Sequence, residues 1–358
     1  MLQSFRAQNF KCFADLTISK LEPVNLITGL NNTGKTALLE ALFLHAGYFN
    51  PTLSTVINVF RGIDLFKPDP EFLWGWHFYG HDLSSRIHLT ACHKDERPRH
   101  LRIYLRTSPV STGRERRSRR GRLPSTAPSL TSADIGRELR YEYTAANGKV
   151  YKNTVTLRQD GKPALARAPF PSQDNASFLA ARTVTHNEDA RFFDQLNLTR
   201  RQDEILRFAR FFDPRLKGLS LSAAWGPLTL VADMDGQTQL MPIPFAGEGL
   251  TRFLSMLLHI LQIPKGLLLI DEVENGIHHT VLPKVWQALA ETAKAAGVQI
   301  IATTHSQECV RAAHQAFSQF LDYGFRLHRL ERVRDDIKVI TYDRAQLERV
   351  IEAGFELR

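Results

Sequence analysis

Residues 29–36 read Gly-Leu-Asn-Asn-Thr-Gly-Lys-Thr and match the phosphate-binding P-loop pattern at every fixed position. A strand-like run at residues 24–28 precedes the loop, and an apolar, helix-like run follows at residues 37–44. Glycines let the backbone N–H groups of such a loop turn inward onto phosphate oxygens, and the following helix directs its positive end at them. A chain with this feature is expected to fold as an α/β protein around a nucleotide.

Each fixed position of the loop has a predicted role. Lys35 is expected to reach the β- and γ-phosphates, and Thr36 to offer its hydroxyl to Mg²⁺. A chance match in a glycine-rich turn is the alternative, which the flanking strand-like and helix-like runs disfavour. The predicted nucleotide-binding residues are Gly29, Asn31, Asn32, Thr33, Gly34, Lys35, Thr36 and Ala37.

The composition bounds the class of protein. The chain has 358 residues and 43% hydrophobic content, enough for one large or two ordinary domains with a full core. Cys12, Cys92 and Cys309 lie far apart without a C-x-x-C spacing, which argues against a disulfide framework and against structural zinc. No apolar run approaches the ~18 residues of a membrane span. We therefore predict a cytoplasmic protein without a membrane segment.

Half of the net charge of +9 is concentrated in one short stretch. Residues 114–122 contain six arginines and one glutamate, a local charge of +5. The surrounding residues 107–132 are rich in Ser, Thr, Pro, Gly and Arg, which predicts a disordered loop. Such a loop is suited to bind the backbone of DNA or RNA without sequence preference. The alternative is an ordinary solvated excursion of the surface.

A second motif ends in two carboxylates. Residues 266–272 form a continuous apolar run that finishes with Asp271 and Glu272. An uninterrupted Leu/Ile run is typical of a strand buried on both faces of a parallel sheet, so the two acids emerge at the carboxyl edge, where ligands bind. In this Walker B arrangement Asp271 is predicted to hold Mg²⁺, and Glu272 to orient or deprotonate the attacking water. The alternative role is that of helix caps.

A further buried strand is predicted at residues 298–304, and it leads directly into His305. This histidine is predicted to contact a γ-phosphate lying beside Glu272. A structural histidine after a strand is the alternative. The order of the motifs along the chain favours the catalytic role.

The motifs together resemble a known class of proteins. They are residues 10–13 (Phe-Lys-Cys-Phe), the P-loop, Gly247–Gly249 opening a helix, residues 269–272 with 274–278, and Thr304-His305-Ser306. In this order they resemble the ABC-type ATPases of the SMC and RecF class, and more narrowly the compact bacterial ATPases related to OLD-family nucleases and anti-phage defence ATPases. The resemblance implies ATP as the nucleotide. It also implies that Gly247, Glu248 and Gly249 form the signature motif, which engages the γ-phosphate held by the other protomer, and that residues 274–278 form the D-loop at the dimer interface.

Two departures from the class pattern are visible. Ala246 stands where the common signature carries a serine, so one side-chain contact to the γ-phosphate is absent. No glutamine occurs between Gln8 and Gln159, so the usual Q-loop glutamine has no counterpart there. His77 and His81 are the candidates to replace it.

The predicted fold class is α/β: an ABC-type P-loop nucleotide-binding domain with an antiparallel β lobe and a helical insertion, in a single domain over residues 1–358. Residues 1–50 and 224–358 are predicted to form the nucleotide-binding core. The antiparallel lobe is predicted at residues 51–171, including the disordered loop 107–132, and the helical insertion at residues 172–222.

The predicted function is Mg²⁺-dependent ATP hydrolysis by a homodimer or higher homo-oligomer with composite ATP sites. Its nucleotide-driven dimerisation would control a separate effector protein, a nuclease or toxin, with anti-phage defence as one setting. The alternative is a RecF-like DNA-binding ATPase in DNA repair, which would use basic residues such as those in the 114–122 stretch. A P-loop kinase or small-molecule enzyme is disfavoured by the signature-like element and by His305.

Overall fold

The protein is described by a computed structural model that covers residues 1–63, 70–94, 96–109, 135–157, 163–166, 176–181, 186–224 and 226–357. Within these ranges no helix is long and apolar enough to cross a membrane. Residues 114–122 of the predicted basic loop lie outside the described part of the chain.

The described residues contain strands and helices in mixed order. The strands are β1 (Leu2–Phe10), β2 (Phe13–Ile18), β3 (Val24–Thr28), β4 (Ile87–His93), β5 (Arg99–Pro109), β6 (Ile135–Thr144), β7 (Val150–Leu157), β8 (Pro163–Ala166), β9 (Ala176–Leu179), β10 (Leu216–Ser222), β11 (Thr229–Met234), β12 (Met241–Pro242), β13 (Leu267–Ile270), β14 (Gln299–Thr303), β15 (Phe325–Val333) and β16 (Asp336–Tyr342). The helices are α1 (Lys35–Ala46), α2 (Leu53–Phe60), α3 (Pro70–Trp74), α4 (His186–Leu198), α5 (Asp203–Ala209), α6 (Glu248–Gln262), α7 (Leu282–Ala296), α8 (Gln307–Phe317) and α9 (Arg344–Glu352).

A six-stranded sheet positions the motifs. Its order is β16-β15-β3-β14-β13-β9, and every pairing is parallel except that of the edge strand β16. All residues of β3 and β14 are buried, including the polar Asn25, Thr28, Gln299 and Thr303, as is typical of strands covered on both faces. In the parallel register Thr303 pairs with Ile27, and Ala302 with Ile270. The P-loop after β3, the carboxylates after β13 and His305 after β14 therefore emerge at one edge of the sheet.

Side chains of the parallel sheet alternate between two hydrophobic cores. Leu268 and Ile270 join the core that includes α6, α7 and α8, whereas Leu269 points into the core that includes α1 and β1. Burying each such side chain stabilises the fold by about 1.5–3 kcal/mol. Helix α1 is apolar on almost every face and is buried between the two large sheets.

The second large sheet is antiparallel, with seven strands in the order β2-β1-β4-β5-β6-β7-β8. Strands β1 and β2 correct the predicted boundaries. Residues 1–50 were predicted to belong to the nucleotide-binding core, and the antiparallel lobe to begin at residue 51, but both strands pair in this antiparallel sheet and not in the six-stranded sheet. Their alternating apolar pattern suits a sheet with one face against α1. The structure also extends β5 to Pro109, so residues 107–109 are strand rather than part of the predicted disordered loop.

The region predicted as a helical insertion, residues 172–222, is only partly helical. It contains α4 and α5, but it begins with β9, which pairs in parallel with β13, and it ends with β10, which pairs with β11 in a three-stranded sheet. Four residues are too few for β9 to show a period, so its strand character depends on the partner β13. The remaining boundaries of the predicted segments stay predictions.

Candidate functional site

The P-loop turns sharply at Gly34, which precedes helix α1. Gly34 has φ of 90°, a left-handed conformation that favours glycine. A Cβ atom there would lie 2.7 Å from the Cys12 Sγ atom and 2.7 Å from the Phe13 ring. The β1–β2 turn therefore packs against the loop so closely that no side chain fits. This contact explains in physical terms why residues 10–13 accompany the P-loop.

Lys35 lies at the start of α1 with its side chain folded back along the P-loop. Its Nζ atom donates hydrogen bonds to the carbonyl oxygens of Gly29, at 2.6 Å, and Leu30, at 3.0 Å. Burial lowers the pKa of Lys35 to about 8, against the negative charges of Asp271 and Glu272, which act to raise it. A cation held in this way against the loop is placed to contact phosphate oxygens.

Asp271 and Thr36 meet although 235 residues separate them. The Thr36 hydroxyl donates to the two carboxylate oxygens of Asp271 at 3.1 and 3.0 Å, and the Thr303 hydroxyl donates to Oδ1 at 2.7 Å. Burial raises the pKa of Asp271, and the two hydroxyl bonds oppose that shift. A carboxylate beside a hydroxyl is an all-oxygen donor pair that leaves room for phosphate and water ligands, so these residues fit Mg²⁺.

Glu272 and His305 face each other next to this pair. The His305 Nε2 atom lies 3.6 Å from Glu272 Oε1, and both side chains are partly exposed. Glu272 adopts φ of 51°, a left-handed conformation that is unfavourable for glutamate. Its N–H donates to the Thr303 hydroxyl at 2.9 Å. The hydrogen bond to Thr303 of β14 thus stabilises this strained backbone conformation, in which the carboxylate lies next to His305.

Two further residues support these groups: Glu274, which the sequence resemblance places in the D-loop, and Arg252, which sequence reasoning did not assign. Glu274 accepts a hydrogen bond from the His305 N–H at 2.8 Å through Oε1. Arg252 of α6 is half-buried and donates to the carbonyl oxygens of Asp271, at 2.7 Å, and Ala180, at 3.0 Å. Arg252 therefore joins the helix that follows the signature to the ends of β13 and β9. Arg252 carries no sequence signal beyond its position after the predicted signature.

The signature-like residues lie at the start of α6. Gly247 has φ of 111° and precedes the helix. A Cβ atom on Gly249 would lie 2.5 Å from the Gly276 carbonyl oxygen, so glycine allows the signature and the predicted D-loop to touch. Gly247 and Glu248 are exposed. The structure thus brings the signature to the D-loop of the same chain.

Two open cavities lie at this edge of the sheet. The first, which we call the nucleotide cleft, has a volume of about 950 Å³. The second, which we call the terminal cavity, has a volume of about 770 Å³. The nucleotide cleft is lined by Lys11, Cys12, Asn31, Asn32, Gly34, Lys35, Thr36, Ala37, Asn58, Arg61, Ile63, Trp76, His77, Phe78, Gly80, His81, His305 and Arg332. The terminal cavity is lined by Gly29, Leu30, Asn31, Glu272, His305 and Glu356.

The predicted site residues differ in which of these cavities they line. The predicted P-loop residues Asn31, Asn32, Gly34, Lys35, Thr36 and Ala37 line the cleft, whereas Gly29 lines the terminal cavity. Thr33 is buried and donates through its hydroxyl to the Leu30 carbonyl oxygen at 2.8 Å, so it shapes the loop. The signature residues 247–249 line neither cavity.

A buried ion cluster forms one wall of the nucleotide cleft. Glu40 of α1 is fully buried and is paired with Lys11 at 2.5 Å and with Arg61 at 2.6 Å. Burial acts to raise the pKa of Glu40, but the two cations hold it below its ordinary value. Only the Lys11–Glu40 pair is buried on both sides, since the Arg61 side chain is 42% exposed, and removing one partner of such a buried pair typically costs about 3–5 kcal/mol. The cluster fixes two cations of the cleft to the P-loop helix.

The two histidines considered as Q-loop replacements occupy different environments. The His77 ring is buried, its Nε2 atom lies 2.7 Å from the Ser54 carbonyl oxygen, and burial lowers its pKa to about 3. His81 is partly exposed and contacts Trp76. Both line the nucleotide cleft. Their role in place of the glutamine stays a prediction.

Comparison with known families and proteins gives three kinds of match. Residues 24–311 match the family described as "AAA domain, putative AbiEii toxin, Type IV TA system". A protein of Helicobacter pylori named ATP/GTP phosphatase is 23% identical over 346 residues, which cover 89% of each chain.

Solved structures of SMC heads are similar over nearly their whole length. A head bound to the C-winged helix domain of ScpA is 12% identical, with a TM-score of 0.48, and the match covers 98% of this chain and 99% of that chain. The head domain from Thermotoga maritima is 12% identical, with a TM-score of 0.42 and coverage of 96% and 99%. A head bound to the C-terminal domain of ScpA derived from Pyrococcus furiosus is 10% identical, with a TM-score of 0.48 and coverage of 99% of each chain.

Proposed function

The chain is an ATPase that belongs to the AAA-domain family matched over residues 24–311, and we propose that it hydrolyses ATP with Mg²⁺ in a site completed by a second copy of the chain. The predicted α/β fold is confirmed by the sheets and helices of the structure, and kinship with the ABC-type ATPases of the SMC and RecF class stays part of the proposal. One observation carries the proposal: Lys35, Thr36, Asp271, Glu272 and His305 come together at one sheet edge.

The roles of these residues follow from their contacts. Lys35 binds the β- and γ-phosphates, and Asp271 with Thr36 holds Mg²⁺, which neutralises phosphate charge when bound. Glu272 orients the attacking water and accepts its proton, because its carboxylate is exposed to the terminal cavity. His305, which lines both cavities, contacts the γ-phosphate between them.

The shared site is supported by the position of the signature. Gly247 and Gly249 line neither cavity of their own chain, and they lie at the N-terminal end of α6, whose positive dipole end suits a phosphate on another copy. Two large apolar side chains are exposed at the surfaces that would meet: Leu30 in the P-loop is 65% exposed, and Phe245 before the signature is 79% exposed. A second copy would cover both.

Mixing two inactive variants is expected to restore ATP hydrolysis. Lys35→Ala removes the phosphate-binding charge, and Gly247→Asp places a negative charge where the signature would meet the γ-phosphate. A heterodimer of the two has one site in which both elements are intact. We expect each variant alone to be inactive, and the mixture to recover part of the wild-type rate in a phosphate-release assay.

The control for this experiment is a mixture in which heterodimer formation is verified by affinity tags on each variant. Mixing Lys35→Ala with the double variant Lys35→Ala/Gly247→Asp leaves no intact site and should stay inactive. An inactive first mixture with verified heterodimers would contradict the shared site.

The output of the ATPase is proposed to be control of a separate effector protein. The family description names a toxin and a Type IV TA system, which supports an effector of nuclease or toxin type. Strands β15 and β16, which follow His305, belong to the six-stranded sheet, and helix α8 contributes to the core that packs against it. Anti-phage defence is one setting for such control, and the cytoplasmic location stays a sequence-based prediction.

Affinity purification of Glu272→Gln from the native host is expected to recover a protein partner that depends on nucleotide. This variant should keep ATP bound and so stabilise the ATP-bound state of the dimer. Purifications with and without ATP are compared. Lys35→Ala, which is expected not to bind ATP, is the matched control variant. Robust nuclease activity of the purified chain alone would contradict the effector hypothesis.

The RecF-like alternative rests on the net charge of +9. It predicts DNA binding whose affinity falls steeply with salt, because each phosphate contact releases counterions. Measuring DNA affinity of the wild type over a salt series separates the two functions.

A further inference from the structure

Two neighbouring aromatic rings stand at the mouth of the nucleotide cleft. Trp76 is 64% exposed, although Trp74 in the same segment is completely buried. The His81 ring lies against the indole, with 4.7 Å between the ring centroids and an interplanar angle of 60°. A single exposed aromatic needs no explanation. A tryptophan held by a second ring inside the proposed ATP site does require one.

The segment that carries these rings is fixed relative to the P-loop. The Lys11 N–H donates to the His77 carbonyl oxygen at 2.8 Å, and Phe10 forms a β-bridge with Phe78. The same β1–β2 turn packs against Gly34. A short chain of contacts thus connects the phosphate-binding loop to Trp76, so the distance between them is set by the fold.

The other aromatic side chains of the cleft offer little ring surface. His77 and Phe78 are each 2% exposed. A Cβ atom on Gly75 would lie 2.7 Å from His81 Nε2, so glycine at this position lets the imidazole approach the backbone beside Trp76. The indole and the imidazole are therefore the aromatic rings among the lining residues of this segment that offer exposed surface to the cleft.

Resting on the proposed ATP site, we propose that Trp76 and His81 form the platform on which the nucleotide base stacks. The phosphates would lie on the P-loop and the purine on the indole face, and Lys11 and Arg61 line the same cleft. Stacking uses the π face of the base rather than its hydrogen-bonding edge, so the platform accepts adenine and guanine alike. The predicted ligand class is a purine nucleoside triphosphate.

The test compares ATP with inorganic tripolyphosphate, which has the phosphates but no base. Both are titrated with Mg²⁺ into the full chain by calorimetry. We expect Trp76→Ala to weaken ATP binding roughly 5- to 150-fold, as for loss of one base-stacking aromatic, and to leave tripolyphosphate binding unchanged. Trp76→Phe retains a ring and should keep most of the ATP affinity.

Phe72 supplies a matched control. It lies in α3 of the same segment, is partly exposed and does not line the cleft, so Phe72→Ala should change neither affinity. A loss for Trp76→Ala that is equal for ATP and tripolyphosphate, or unchanged ATP affinity in both Trp76→Ala and His81→Ala, would overturn the platform. A wild type that binds neither ligand would instead contradict the proposed ATP site itself.

Discussion

Replacement of Lys35 by alanine is expected to abolish nucleotide binding at physiological concentrations of ATP. The ammonium group is held at the P-loop by the Gly29 and Leu30 carbonyl oxygens. Losing one partner of a buried, hydrogen-bonded charge pair at a binding site typically costs about 2–5 kcal/mol. Isothermal titration of ATP with Mg²⁺ measures the effect. Lys294→Ala, on the exposed surface of α7, is the matched control and should bind like the wild type.

Proton uptake gives a second readout of the same prediction. Burial lowers the pKa of Lys35 to about 8, so part of the ammonium is neutral at pH 8 when no nucleotide is present. Phosphate charge raises the pKa of a nearby cation, and ATP binding at pH 8 should therefore take up protons. ATP affinity should accordingly fall as the pH rises above 8.

The measurement is the dependence of the calorimetric heat on the ionisation enthalpy of the buffer, and the uptake should vanish in Lys35→Ala. Equal ATP affinity for this variant and the wild type would end the P-loop assignment. Reduced affinity with undiminished proton uptake would assign the titration to another group.

The parallel sheet was predictable because its strands are recognisable one at a time. Residues 266–270 are a continuous apolar run and residues 298–303 are mostly apolar, as is typical of strands covered on both faces. The antiparallel sheet was harder. The apolar residues of β1 and β2 alternate, but the sheet that these strands join depends on β4, which lies about 80 residues further along. Sequence periodicity has no information about partners at that separation.

The candidate site shows the same limit. Residues with a fixed chemical role, such as Lys35 and Asp271, are found from motif spacing. Thr303 was seen only as the end of a strand, yet its hydroxyl donates to Asp271 and accepts from the Glu272 N–H. Arg252 donates to backbone carbonyl oxygens. Every residue type carries such an oxygen, so the sequence does not identify these partners. Such supporting contacts depend on three-dimensional packing and need the structure.

Glu272→Gln is expected to keep ATP binding and to slow hydrolysis about 100- to 10,000-fold, the usual contribution of a positioned general base. Glutamine has nearly the same shape, so the N–H bond from residue 272 to Thr303 and the φ of 51° can persist. The amide cannot accept a proton from water, whereas Lys35 and Asp271 still hold the phosphates and Mg²⁺. Single-turnover hydrolysis and equilibrium ATP binding, measured on the same preparation, separate the two effects.

The surroundings of Glu272 decide how this experiment is interpreted. His305 lies 3.6 Å from the carboxylate, and its N–H is held by Glu274. A glutamine at 272 leaves that hydrogen bond intact, so a slow rate with normal ATP affinity reports the lost base rather than a displaced histidine. Glu348→Gln on the exposed face of α9 removes an equal charge away from the site and should hydrolyse ATP at the wild-type rate. If Glu272→Gln hydrolyses ATP as fast as this control, another group activates the water, and His305 at the same cavity becomes the next residue to replace.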